Sequence, residues 1–462
     1  MIRSGAPSCE ARAAHHGAGH AGGTASSPQI TVAVLAAALL LATGSARGAD
    51  SLSVRGEVGT AAEVSNEQFY ESAIDDTTFL GRRLHDSPES RVAVVAMAEL
   101  LRSAGSGRWQ LRFVPELSTG DEATRLAATA TVRVQPRDRL RLALEPRAEY
   151  SRDDGFGMRR REWRAALTGR ARLLSFDESS ALRLAAGSEV VRALAGSDPF
   201  VLSGTSARVS AGWARTPLLG SEWDVEYGAV GRVFRDSTSR DQFEHRLAVT
   251  WRRNFGIASS LVLAAEADRR VALRDVTSSR DRFLRGETTL SGTFAPALSW
   301  EIRPEVSLES LRFDVPDSLL DFDYDVWDAR LLLGRTLGTA WRVGMGPRAE
   351  WLSAPWNDAE SYDELGWTLE LERFTAASWW NVAPAFGRRR YAGTVAAMTD
   401  LLLPATPLHS DFTFVELSAF LDQKLPARMR VRALATLRDE RHDDPDQDAR
   451  SLYFSLDVRR LF

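Results

Sequence analysis

The sequence predicts an all-β protein in which roughly 16 to 20 antiparallel strands close into a single transmembrane β-barrel. Three features lead to this prediction. Strand-like segments with one apolar and one charged face recur along the chain, short and long connections alternate between them, and the final segment ends in phenylalanine. No apolar run reaches the length of about 20 residues that a membrane-spanning helix needs.

The segment Arg139–Tyr150 shows the recurring pattern. Read with a period of two, leucine occupies one face and arginine alternates with glutamate on the other. Successive side chains of a strand point to opposite faces. An apolar face opposite a densely charged one is typical of a strand with lipid on one side and an aqueous lumen on the other.

The charged faces are predicted to line the lumen. The predicted lumen-lining residues are Arg141, Glu145, Arg147, Glu149, Glu301, Arg303, Glu305, Glu309, Arg342, Arg348, Glu350, Glu370, Arg430 and Arg432. Both signs of charge are present, so no strong preference for cations or anions follows from the sequence.

Aromatic residues at the ends of apolar rows predict two interfacial girdles. Trp341 and Trp351 share one face of a strand, and their spacing corresponds to about 25 Å along the membrane normal at a strand tilt of ~40°. That distance matches the height of the lipid-facing band. Two core tryptophans of a soluble sandwich are the alternative. The predicted girdle residues are Tyr150, Trp300, Trp341, Trp351 and Trp367.

Two kinds of connection alternate between the predicted strands. Longer, mostly acidic segments such as Ser151–Met158 and Asp314–Asp325 separate the short connections. Tight turns at the periplasmic end and long loops at the outer end are typical of membrane barrels. Short connections are predicted near Gln135–Asp138, Ser175–Ser179, Asn254–Ser259, Pro296–Leu298, Leu337–Thr339, Thr375–Ser378 and Gln423–Pro426.

Five prolines recur shortly after predicted short turns and suggest a weak internal repeat. A proline inside a strand ladder removes one donor, so a shared height near the outer rim is expected. Chance in the choice of proline is the alternative. These prolines are Pro115, Pro146, Pro304, Pro347 and Pro384.

The chain divides into a leader and one barrel. Residues 1–48 contain the apolar run Ile30–Thr43 followed by small residues, which is typical of a cleaved secretory signal peptide. An anchoring helix is the alternative interpretation. Residues 49–462 are predicted to form the barrel, with Glu63–Ser90 as a candidate plug or lid. The single cysteine, Cys9, excludes a disulfide framework.

The last segment, Ser451–Phe462, has the form of an amphipathic final strand. Its apolar face is formed by Leu452, Phe454, Leu456, Val458 and Phe462. An amphipathic last strand closed by phenylalanine resembles bacterial outer-membrane β-barrel proteins, the porin-like class, without pointing to a specific family. Asp457 and Arg460 depart from the commonest form of this strand.

The resemblance implies a location and several partners. It implies the outer membrane of a Gram-negative bacterium, reached by export with a cleaved signal peptide. It also implies contact with outer-membrane lipid and lipopolysaccharide, and recognition of the final strand by the barrel-assembly machinery. Assembly into homo-oligomers is left open.

Motifs for chemistry are scarce. No G-x-S-x-G or His-Glu-x-x-His pattern occurs. The loop Arg441–Asp448 has the aspartate spacing of a calcium loop but lacks its glycine and bidentate glutamate, so a solvated acidic loop is favoured. No catalytic residue, metal site or cofactor is therefore predicted. The net charge of −4 also argues against a nucleic-acid partner.

These observations lead to three functional hypotheses. The first is that the protein is an outer-membrane channel, and not an enzyme, for the passive, weakly selective passage of small hydrophilic solutes. The alternative is a non-conducting export, assembly or surface-scaffold barrel whose charged interior forms ion pairs. The third is a hydrolase built into the barrel wall.

Overall fold

Twenty antiparallel strands, paired in sequence order, form a closed barrel. The computed structural model describes residues 51–462 apart from 76–77, 104–107, 121, 155–158, 200, 218–219, 257, 275–281, 315–322, 356–359 and 394–408, and it does not describe the side chains of residues 69–87 and 446. The predicted leader, residues 1–48, lies outside the described residues. Among the described residues, no helix is both long enough and apolar enough to cross a membrane.

The strands have similar lengths except for the first two. They are β1 Ser51–Asp75, β2 Thr78–Ser103, β3 Trp109–Gly120, β4 Ala123–Arg137, β5 Leu140–Asp153, β6 Arg160–Leu174, β7 Ser180–Ala193, β8 Gly204–Arg215, β9 Ser221–Phe234, β10 Gln242–Phe255, β11 Ser259–Ala272, β12 Phe283–Ala297, β13 Trp300–Phe313, β14 Tyr324–Leu337, β15 Trp341–Ser353, β16 Tyr362–Phe374, β17 Ser378–Tyr391, β18 Phe412–Leu425, β19 Met429–His442 and β20 Ala449–Leu461.

The strand number sets the width of the barrel. Twenty strands spaced ~4.8 Å apart and tilted by ~40° correspond to a backbone diameter of about 40 Å for a circular section. Barrels of about 16 to 18 strands already enclose an aqueous channel. The strand count lies within the predicted range, and the predicted fold class is confirmed.

The connections alternate as the sequence predicts. Each even-numbered strand from β4 to β18 is followed by a short connection, and tight turns are made where the backbone reaches positive φ. Gly338 has a φ of 65° in the turn before β15, and Ala427 and Arg428 each have a φ of 59° in the turn before β19. The longer connections lie at the opposite end of the barrel.

The alternation of side chains separates a lipid face from a lumen face. On β7, Leu182 and Leu184 are 44% and 49% exposed, whereas Arg183 between them and Ala185 after them are half-buried. Side chains inside a closed barrel crowd against one another, whereas outward side chains have only lipid beside them. The apolar rows therefore face the membrane, and the charged rows face the lumen.

The five repeated prolines open gaps in the strand ladder. Pro115, Pro146, Pro304, Pro347 and Pro384 each fall where pairing with the preceding strand is interrupted. The cause is that proline has no backbone N–H to donate. Each lies near the middle of its strand, so the expected position near the outer rim is wrong.

The barrel closes between the first and last strands. β20 pairs with β1 from Glu57↔Leu461 to Phe69↔Ala449, and Gly56 and Phe462 exchange backbone hydrogen bonds of 3.0 and 2.9 Å. A Cβ at Gly59 would overlap the carbonyl oxygen of Val458. Glycine is therefore required at this point of close backbone approach.

The first two strands extend beyond their neighbours as a hairpin. β1 and β2 pair from Ser51↔Ser103 to Asp75↔Thr78, whereas the pairing of β3 with β2 begins only at Ala93. The segment Glu63–Ser90 is thus a continuation of two wall strands. The prediction that it forms a plug or lid is wrong, because the two arms satisfy each other's backbone groups as a ladder.

Candidate functional site: the barrel lumen

The predicted lumen residues are brought together in rows of ion pairs. Among the described residues, each of them except Arg141 makes an ion pair with a neighbouring side chain. Near the outer half of β5, for example, Glu149 accepts hydrogen bonds from Arg125 at 2.9 Å and Arg147 at 2.5 Å. The opposite charges thus come from the same strand, as with Arg147, and from the adjacent strand, as with Arg125.

The wall formed by β13 to β16 is charge-compensated. Arg303 contacts Glu370 at 2.6 Å and Glu301 at 3.1 Å, and Arg342 contacts Glu301 at 3.3 Å and Glu372 at 2.7 Å. The side chains of Glu301 and Glu370 are only 14% and 13% exposed. Because both charges are partly desolvated, these pairs are expected to hold the side chains in fixed positions.

A buried carboxylate organises the outer part of the same wall. Glu364 is fully buried and contacts Arg348 at 2.8 Å and Arg389 at 2.7 Å, with Arg438 at 3.8 Å. The guanidinium of Arg389 also lies 3.8 Å from the ring centre of Tyr362. Glu364 was not predicted as a lumen residue, because the acidic segment Ser353–Glu364 reads as one of the longer outer connections. The alternation with Leu365 was the available signal.

The opposite wall, from β3 to β12, surrounds a cavity rich in arginine. The cavity has a volume of about 1240 Å³, and twelve of its lining residues are arginines whereas three are acidic. Some of these arginines pair with acids outside the lining, such as Arg170 with Glu145 at 3.1 Å. Others bond to neutral groups, such as Arg208 to the Thr168 hydroxyl at 2.6 Å. The lumen is therefore unevenly charged.

A serine, a histidine and a glutamate meet at the outer end of β19. Ser410 Oγ lies 3.0 Å from Nδ1 of His442, and Nε2 of His442 lies 3.5 Å from Glu440. The Ser410 hydroxyl donates to Gln447 at 3.1 Å, and the Ser410 carbonyl oxygen, 3.2 Å from Nδ1, is also an acceptor. Nδ1 then carries a hydrogen and cannot accept the hydroxyl proton, as a general base must. Ser410 is also buried.

The predicted girdle residues lie at three heights. Trp300 and Trp341 begin their strands at the end with short connections, and Tyr150 and Trp351 lie towards the other end. Trp367 instead pairs directly with Pro347, near the middle of both strands. Its assignment to a girdle is therefore wrong, because the strand register places it at mid-height.

Further aromatic residues lie at the two ends of the barrel. Trp327 pairs with Trp351 at the outer end, and Trp223 pairs with Trp251 at the other end with ring centres 6.2 Å apart. Amphipathic indole rings favour the membrane–water interface. These tryptophans were not predicted, since strand register decides which of them meet.

The final strand presents its apolar row outward. Leu452, Phe454 and Phe462 are 40%, 37% and 63% exposed, and Leu456 and Val458 share their parity on β20. The ring of Phe462 covers Gly56 of the first strand. Recognition of this strand by the assembly machinery stays a prediction.

Aspartates in the connections act as local hydrogen-bond acceptors. In the loop predicted to be acidic, Asp448 accepts the backbone N–H of His442 at 2.8 Å. Hydrogen bonds from Arg152 and Arg161 lower the pKa of Asp154, and hydrogen bonds from Ser203 lower the pKa of Asp236. Within the described part of the chain, no group of three or more histidine, cysteine or acidic side chains is arranged to hold a metal ion.

The closed antiparallel barrel with an apolar outer face and a charged lumen defines the class of the protein. Its fold is that of outer-membrane β-barrel proteins, as its last strand predicts. The fold agrees with the predicted location in the outer membrane of a Gram-negative bacterium.

Comparison with known proteins places it among solved barrels. The siderophore receptor PirA from Pseudomonas aeruginosa is 12% identical, with 90% of this chain and 81% of that chain covered and a TM-score of 0.53. FauA, the alcaligin outer-membrane receptor from Bordetella pertussis, is 11% identical, with coverages of 87% and 76% and a TM-score of 0.48. OpdL from P. aeruginosa is 11% identical, with coverages of 89% and 99% and a TM-score of 0.44.

The likeness to PirA shows a shared fold and nothing finer. No protein-family model matches the chain. No curated protein sequence matches it.

Proposed function

We propose that this protein is an outer-membrane channel through which small hydrophilic solutes diffuse passively. The observation that carries the proposal is the charged lumen face around a cavity of about 1240 Å³. A lining of arginine and glutamate favours water and polar solutes over apolar ones. A barrel of twenty strands is also wide enough for an aqueous path.

The connections between the strands also support the proposal of an aqueous interior. Outside the sheet, the described residues form turns, loops and short 3₁₀ helices such as Thr238–Arg240 and Pro445–Gln447. In the described part of the chain no separate domain fills the lumen. Several solved relatives in fold have names that describe them as receptors, and the proposal does not extend that function to this chain.

Planar-bilayer recording tests the channel proposal. Purified protein whose folding is verified by heat-modifiable electrophoretic mobility is expected to give discrete conductance steps in KCl, and the boiled sample is expected to give none. Folded protein that inserts without any steps would refute a channel.

The second candidate is a non-conducting export, assembly or scaffold barrel. The cluster of Glu364 with Arg348 and Arg389 favours it, because the ion pairs of this buried carboxylate hold both guanidiniums on the lumen face of the wall. If the network closes the lumen, Arg348→Ala combined with Arg389→Ala is expected to open conductance that is absent from the parent protein. Equal conductance of both proteins would exclude this role for the cluster.

We infer that the protein is not a hydrolase of the barrel wall. The buried hydroxyl of Ser410 and its donation to Gln447 support this inference. The purified protein is expected to release no fatty acid from phospholipid vesicles. Release that disappears in Ser410→Ala would overturn the inference.

A further inference from the structure

The strand register places three arginines side by side near the end of the lumen with short connections. Arg141 of β5 lies directly opposite Arg172 of β6, and Arg172 lies directly opposite Arg183 of β7. Directly opposite residues have Cβ atoms about 5 Å apart, and like charges at that spacing destabilise a sheet. Their side chains share the lumen parity and line the large cavity. We call these three residues the arginine row.

Two of the three residues of the arginine row lack the compensation found on the wall of β13 to β16. Among the described residues, Arg141 and Arg172 make no side-chain hydrogen bond or ion pair. Arg183, the third residue of the row, contacts Asp224 and, at 3.7 Å, Glu226. The guanidiniums of Arg141 and Arg172 are therefore available to an acceptor from outside the chain.

The surroundings of the row add positive charge and space. Arg133 bonds to the neutral side chain of Gln110 at 3.3 Å, and Arg208 bonds to the neutral hydroxyl of Thr168. Gly212 lies opposite Arg183, and a Cβ there would come within 3.1 Å of Nη2. The absence of a side chain at this position lets the guanidinium lie along the wall rather than block the cavity.

We propose that the arginine row is a binding site for small organic oxyanions, carboxylates or phosphate esters, on their path through the lumen. Planar guanidinium groups bind carboxylate and phosphate oxygens through paired, charge-assisted hydrogen bonds. A cleft lined by one sign of charge within a low-dielectric wall also concentrates the opposite ion. This proposal rests on the channel function, since it names the class of solute that the channel selects.

Ion selectivity provides the first test. In a KCl gradient, the reversal potential of the parent channel is expected to be shifted from zero towards the equilibrium potential of chloride. The double variant Arg141→Gln with Arg172→Gln is expected to move the reversal potential back towards zero. Arg432→Gln serves as the matched control, because Arg432 is also in the lumen near a short connection but is paired with Asp422 at 3.3 Å. A parent channel selective for potassium would overturn the proposal.

Solute binding provides the second test. Succinate and glucose 6-phosphate, with glucose as the neutral probe, are added to the parent channel and to the double variant. Either anion is expected to reduce the chloride current, with an apparent affinity about tenfold weaker in the double variant, given the strength of hydrogen bonds to charged groups. Block by succinate alone or by glucose 6-phosphate alone identifies which oxyanion the row accepts.

The two proposals fail in different ways. Absence of conductance steps would refute the channel, and calorimetric titration of detergent-solubilised protein with the same anions would still test the row. Conductance without anion block, block of equal strength in the double variant, or equal block by glucose would refute the row and leave the channel standing.

Discussion

The assignment of the lipid face is tested most sharply on one strand. Leu167 lies at the centre of β6, opposite Pro146, and Leu173 lies beside the short connection at the end of the same strand. The two leucines share one parity and have similar exposures of 46% and 50%. They differ mainly in depth, which makes them a matched pair for arginine substitution.

The expected costs follow from their separation. Six residues correspond to about 20 Å along the strand, or about 15 Å along the membrane normal at a tilt of ~40°. An apolar band about 25 Å high extends ~12 Å to each side of its centre. With Leu167 near the midplane, Leu173 therefore lies at the interface. Leu167→Arg is expected to cost about 2–4 kcal/mol and Leu173→Arg about 0–1 kcal/mol.

The assay is reversible denaturant unfolding in phospholipid vesicles, followed by tryptophan fluorescence. The parent protein, both arginine variants and Leu167→Ala are compared at equal lipid concentration, so that loss of the leucine side chain is separated from introduction of the charge. Equal costs for the two arginine variants, or a larger cost at position 173, would refute the depth assignment.

Three further predictions concern the seam, the buried carboxylate and a turn. Gly59→Val is expected to abolish the heat-modifiable compact form, because the new Cβ overlaps Val458. The control Gly286→Val is expected to retain the compact form, because a Cβ at position 286 meets nothing within 4 Å. Equal electrophoretic behaviour of the two variants would contradict this prediction. Glu364→Gln is expected to lower the free energy of unfolding by about 3 kcal/mol, because two partly buried arginines lose their buried carboxylate. Vesicle unfolding compares this variant with Glu178→Gln, and a loss no larger than in that control would count against the prediction. The hydroxyls of Ser175 and Ser179 lower the pKa of Asp177 from 3.8 to about 2. Because the folded pKa is depressed, the hydrogen bonds to the Asp177 carboxylate stabilise the fold fully above the unfolded pKa, and this stabilisation is lost as the pH falls through about 2. Carboxyl-carbon NMR titration measures the midpoint, and a midpoint at 3.8 would disprove the prediction.

Much of the architecture was predictable from local pattern. The period of two in β5, β13 and β15 predicted which side chains share a face of the sheet, and the turn segments located the short connections. These features depend on neighbouring residues, because pleating sends successive side chains to opposite faces. The apolar row that ends at Phe462 likewise identified the class of barrel before any contact between strands was known.

The tertiary structure decided what depends on register between strands. Trp367 proved to lie at mid-height, Glu63–Ser90 proved to be part of a hairpin, and Glu364 proved to be buried in a wall rather than free in a loop. The proximity of Arg141, Arg172 and Arg183 is of the same kind.

The physical reason is that a strand's own residues specify its two faces but not its height beside its neighbours. That height is set by turn geometry, by the stagger that closes the barrel and by the packing of facing side chains. The sequence alone therefore determined a membrane barrel with an ionic interior. Only closure of the sheet decided which charged side chains are paired with an opposite charge and which are left unpaired beside the cavity.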